Sequence, residues 1–78
     1  MPDKNTYLID FGDNVRNIRK RKGLSQEELA SRAGLHRTYI GMIERGEKNI
    51  TLSNIIKLSH ALNIIPSTLL ENLTHGEC

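Results

Sequence analysis

Leu24-Ser25-Gln26-Glu27-Glu28-Leu29-Ala30, then Ala33-Gly34-Leu35, Tyr39-Ile40 and Ile43-Glu44-Arg45-Gly46, is the stretch that decides how this chain folds. Ser25 and Glu28 stand three apart, the S-x-x-E spacing of a capping box, in which the serine oxygen takes the amide of Glu28 and the glutamate reaches back. Leu29, Ala30 and Ala33 then give one inward face. Gly34 closes the helix, because glycine enters the left-handed conformation at low cost. A helix over 26–33 follows. Leu35 pins the turn to the core. A third helix begins at His36 or Arg37, points Ile40 and Ile43 inward and stops at Gly46.

Working outward, Leu8, Phe11, Val15 and Ile18 step by three, four and three, a helical stripe over about 8–22. Gly23 ends it, and Lys20, Arg21 and Lys22 suit the negative end of the helix dipole. On the other side, Glu47-Lys48-Asn49-Ile50 reads as a polar loop. Thr51 or Ser53 caps a fourth helix with apolar positions Leu52, Ile55, Leu58, Ala61 and Leu62, ending at Asn63. Pro66 opens a fifth helix carrying Leu69, Leu70 and Leu73. The tail from Thr74 to Cys78 reads as frayed. No alternating strand pattern, repeat or low-complexity stretch interrupts this order. The expected fold class is all-α, a compact five-helix domain spanning 1–78 with its core over about 8–73. Two short helices around a tight glycine turn form the helix-turn-helix unit that enters DNA grooves.

Composition narrows the partners. The chain has 78 residues, 37% of them hydrophobic, with one Phe, two Tyr and no Trp. A core of that make-up rests on Ile, Leu, Val and Ala, and a domain this small gains from a partner subunit. No segment approaches the about 20 apolar residues of a membrane span. Met1-Pro2-Asp3-Lys4 leads into no apolar run, so no secretory signal is expected. The one cysteine is Cys78, which leaves no intrachain disulfide or cysteine metal cluster and suits a reducing cytoplasm. The triplets at Asn49 and Asn72 therefore read as chance rather than glycosylation signals. Net charge is +2. Nine of the eleven Lys and Arg lie within 16–48 against four acids, leaving that segment at +5 and the remainder at −3. A basic part beside an acidic one suits a face turned to phosphates, although a solvated charged surface gives the same count.

The strings Phe11-Gly12, Val15-Arg16, Gly23 to Ala30, Leu35 to Gly41 and Glu44 to Leu52 together resemble the Cro and phage-repressor type helix-turn-helix family, the XRE family, over roughly residues 11–70. Within it the chain looks most like the controller proteins of restriction-modification systems. The resemblance implies a lambda-repressor-like fold. It also implies a dimeric, autoregulating transcriptional regulator that activates or represses a promoter. It assigns Gln26 to backbone contact with DNA, and it pairs Arg19 with Glu44 across the first and third helices. Losing one member of such a pair leaves a costly unpaired charge.

The chemistry of single positions can be read beside that resemblance. The outer N-terminal side of the third helix meets base edges in the major groove. Arg37 is the foremost base reader, since a guanidinium can bond guanine O6 and N7 together. Thr38 offers a methyl or a hydroxyl. Met42 offers an apolar contact or packs beside the helix, and Gly41 allows close approach. Gln26 opens a helix whose free amides suit a phosphate. Tyr39, Arg45, Lys48 and Asn49 flank the reading helix and suit phosphate contacts, which set register. Tyr39 reads equally as a core-edge aromatic. Ser25 is mainly a cap, and His36 caps the helix or touches phosphate. His36, His60 and His75 match no metal spacing, so neither metal nor cofactor is expected.

Ile56, Ile64, Ile65 and Leu73 exceed what five short helices need inside and are expected at a dimer interface. A two-fold dimer would set two third helices about 34 Å apart on a double-stranded, pseudo-palindromic operator. RNA polymerase is a candidate partner for activation, through Glu47 or the acidic side of the last two helices. No small-molecule ligand is expected. Alternatives are a phage-type or chromosomal repressor, or an antitoxin-like module gripping a protein partner. No catalytic set or phosphate-binding glycine loop argues for an enzyme.

Overall fold

The computed structural model describes residues 6–73. The expectations for the N-terminal residues and for the tail, His75 and Cys78 included, fall outside that range. Five helices follow in order: α1 Thr6–Arg21, α2 Gln26–Ala33, α3 Arg37–Glu44, α4 Leu52–Leu62 and α5 Pro66–Leu69. Among the described residues there is no strand. α1 starts one half-turn earlier than the apolar stripe required, because Thr6 and Tyr7 extend the helix without entering the core.

The caps around α2 form as their residues dictate. Ser25 Oγ accepts the Glu28 amide at 3.0 Å, and the Ser25 amide donates to Glu28 Oε1 at 2.8 Å. Gly34 caps the other end at φ 70°, a conformation that a side chain would strain. Its amide and that of Leu35 turn back onto the last turn of α2, so the chain re-enters a helix within three residues. α4 is capped by Thr51, whose Oγ1 accepts the Asn54 amide, and ends at Asn63 with φ 59°.

One core joins all five helices. Val15, Leu29, Ile40, Ile43, Leu58, Leu62 and Leu69 are its most enclosed members. α1 lies against the end of α3 through Gly12. A methyl there would strike the carbonyl oxygen of Ile43 and approach that of Glu44 to 2.7 Å. Gly46 takes φ 74° and lies so close to α1 that a methyl would meet Ile9 Cα at 2.9 Å. Asn14 on α1 donates to the carbonyls of Leu69 at 2.9 Å and Glu71 at 2.8 Å, tying α1 to the end of α5.

The α4 and α5 assignments need correction. Leu52, read as a core position, is 73% exposed, because it is the first residue of α4 and projects beyond the packed turns. Leu70 is likewise exposed, since α5 ends at Leu69 and the chain turns away. Leu73 lies beyond the helix rather than on it. Leu73 and Ile64, expected as surplus, pack against the core. The apolar surface on this side is therefore composed differently from its expectation.

Candidate nucleic-acid interface

α2, its turn and α3 are locked to α1 by a buried carboxylate. Glu44, at the end of α3, is enclosed to 3% exposure. Its Oε2 accepts Arg19 Nε at 2.7 Å and its Oε1 accepts Arg19 Nη2 at 3.0 Å. Oε1 also accepts Gln26 Nε2 at 3.0 Å, from the first residue of α2. Arg19 spends its remaining nitrogen on the Leu24 carbonyl at 2.9 Å. Arg16 adds a bond to the Glu44 carbonyl at 2.6 Å and pairs with Asp13 at 2.7 Å. A charge removed from water is tolerated when it is paired and hydrogen-bonded, and here three bonds reach the carboxylate. Hydrogen bonding to Glu44 holds the Arg19 guanidinium above its ordinary pKa, against the opposing effect of burial. Three helices thus meet on one carboxylate, which fixes the angle of α3 relative to α1 and α2.

The outer side of α3 presents different groups. Arg37 and Thr38 are exposed in its first turn. His36 is the N-cap but makes no side-chain capping bond, so the capping alternative for it is not realised. Tyr39 is half-buried against the core, and its hydroxyl accepts a bond from Asn54 Nδ2 at 2.9 Å. Met42 is half-buried. Gly41 is not open surface: it is buried, and a methyl there would sit 3.2 Å from Arg45 Nη1 and 3.8 Å from Gln26 Oε1. Arg45 pairs side-on with Glu47, Nε to Oε2 at 3.0 Å and Nη2 to Oε1 at 3.1 Å. Lys48 and Asn49 follow, both exposed. Ser25 is exposed and committed to its cap, while Gln26 is half-buried at the same helix start.

Arg16, Asn54 and Glu47 join the site without having been singled out for these bonds. Asp13 and Arg16 stand at the i, i+3 spacing that favours a pair, a signal legible in the sequence. The bonds of Arg16 and Asn54 to α3 span distant parts of the chain and had no such signal. Of the residues expected at a dimer interface, Ile65 is 68% exposed and Ile56, Ile64 and Leu73 are half-buried. Among the described residues, no helix is long and apolar enough to cross a membrane.

The helix-turn-helix family model matches residues 15–70. The control protein C.BamHI of Bacillus amyloliquefaciens is 49% identical over 75 residues, covering 95% of this chain and 93% of its own length. The control protein C.SmaI of Serratia marcescens is 51% identical over 67 residues, covering 81% and 80%. Among solved structures, the restriction-modification controller protein C.AhdI of Aeromonas hydrophila superposes with a TM-score of 0.79 at 52% identity, covering 80% of this chain and 94% of that one. The controller protein C.Esp1396I, solved as a tetramer on its natural 35 base-pair operator, superposes at 0.78 with 33% identity, covering 86% and 88%. With a bolted three-helix frame and this match over most of its length, the chain belongs to the XRE-type helix-turn-helix family of DNA-binding transcription regulators.

Proposed function

We propose that this protein is a dimeric, sequence-specific regulator that lays α3 in the major groove of a pseudo-palindromic operator and controls its own promoter in a restriction-modification system. The observation that carries this reading is the first turn of α3, where Arg37 and Thr38 stand exposed on a helix whose inner face and far end are fully committed to the core and to Glu44. A rigid element with free polar groups on its outer face meets the geometric demand of direct readout. Arg37 reads guanine, Thr38 and Met42 make secondary base contacts, and Gln26, Ser25, His36, Tyr39, Lys48 and Asn49 set register on phosphates. The similarity to control proteins on both sequence and structure supports the autoregulatory role. Two-fold pairing through the α4–α5 side, with Ile65 and the exposed Leu52 and Leu70 contributing, places two α3 helices one DNA turn apart. Such a regulator acts in the cytoplasm, and where it activates, RNA polymerase is its second partner.

The experiment is selection from a randomised duplex pool in moderate salt, with Arg37→Ala beside the wild type. A two-fold motif containing a guanine that the variant ceases to prefer is the expected result. Uniform, steeply salt-dependent binding by the wild type would refute specific readout.

A further inference from the structure

Arg45 has an environment unlike that of a surface arginine reaching for phosphate. It lies eight residues after Arg37 at the C-cap of α3, about 12 Å along the axis, or three to four base steps, and about 80° round it. Its side chain folds back over Gly41, the one α3 position without a Cβ, where a methyl would lie in tight contact with Nη1 at 3.2 Å. Glu47 grips the side-on edge of the guanidinium through Nε and Nη2. A guanidinium carries five N–H donors. Glu47 takes one from Nε and one from Nη2, which leaves the end-on edge, Nη1 with the second hydrogen of Nη2, unpaired by this carboxylate. That edge is the fork that fits two adjacent acceptors.

The charge of the pair decides which acceptors. Arg45 is 58% and Glu47 39% exposed at the side chain, so an approaching duplex meets a carboxylate beside the cation. A phosphate would be drawn by the cation and repelled by the carboxylate a few ångströms away. The acceptors of a base edge carry only partial charge, so the carboxylate repels them less than it repels a phosphate, and the oriented fork still fits them. Building on the proposed operator reading, we infer that Arg45 is a second base-reading residue, seated on Gly41 and oriented by Glu47 so that its end-on edge meets guanine O6 and N7. Glu47 is then a positioning residue that never touches DNA.

The test is the same pool selection on the full chain, run with Arg45→Ala, Glu47→Gln and Gly41→Ala, each checked for folding by circular dichroism. The wild type is expected to show a guanine preference at a second position of each half-site. Arg45→Ala should lower that preference about tenfold while the Arg37 position and the salt dependence stay unchanged. Glu47→Gln and Gly41→Ala should weaken the same position alone. A uniform loss with Arg45→Ala across all sequences, with the salt slope falling by about one, would make it a phosphate contact and overturn the inference. Equal strengthening on every duplex by Glu47→Gln would reduce Glu47 to a repulsive charge and overturn it too. If the wild type enriches a two-fold motif and no preference depends on Arg45, the inference alone fails. If the wild type enriches nothing, the operator reading fails and takes the inference with it.

Discussion

The α1–α3 part and the α4–α5 part of this molecule are built on opposite economies of polar groups. In the first, polar side chains point inward and bond one another: Glu44 takes Arg19, Gln26 and Arg16. In the second, the apolar side chains run past what the core uses, and Leu52, Ile65 and Leu70 face outward. Directional bonds fix a helix at an angle, which a reading element needs. Apolar surface is non-directional and suits a partner of matching shape. The contrast predicts that changes in the first part damage the monomer and its aim, while changes in the second damage assembly.

The largest effect should come from Glu44→Ala, which strands Arg19 and frees Gln26. We expect a loss of about 3–5 kcal/mol in denaturant unfolding, against little change for an exposed acid such as Glu71→Ala. Equal losses at the two sites would abolish the distinction drawn for the buried hub. Gly12→Ala should follow at about 1–3 kcal/mol, since the methyl meets backbone carbonyls of α3 that cannot step aside. Thermal melts of the variant would check it. Ser25→Ala should remove the α2 cap at about 1 kcal/mol, and it should weaken operator binding only as far as α2 frays.

The cap also carries a pH signature. Bonds from the Ser25 amide and hydroxyl hold the Glu28 carboxyl below its ordinary pKa. A carboxyl lowered on folding stabilises the protein above the unfolded value, and that contribution fades as pH falls through the folded one. The melting advantage of wild type over Glu28→Gln should therefore be present at neutral pH and shrink below about pH 4. An advantage that grew on acidification would reverse the sign. The smallest effect on the fold should be Ile65→Ser, within about 0.5 kcal/mol for the monomer, with its consequence visible instead as a weaker dimer in sedimentation equilibrium.

Much of this was legible in the chain. Ser25 with Glu28, Gly34, Thr51, Asn63 and Pro66 marked helix ends because caps depend on residues three or four apart, and the structure places each at an end. The stripe in α1 and the inward residues of α2 and α3 followed from a fixed helical period. Leu52 and Leu70 misled because periodicity says which side of a helix is apolar, not whether another helix arrives to cover it. The seat of Arg45 on Gly41 was invisible for a related reason: a glycine on a reading helix suggests access by DNA, and only the path of a side chain four residues on shows Arg45 Nη1 lying against it.

Local spacing was enough for the five helices, most of their caps and the reading turn with Arg37 and Thr38, while the pairing of Arg19 with Glu44, 25 residues apart, came from the family resemblance. Packing settled that Gln26 reaches the Glu44 carboxylate and Arg16 its backbone carbonyl, that Asn54 meets Tyr39, and that Leu52, Ile65 and Leu70 face outward on the α4–α5 side. Those contacts join residues 15 to 28 apart in the chain or depend on a covering element. No short-range pattern encodes them until the helices pack.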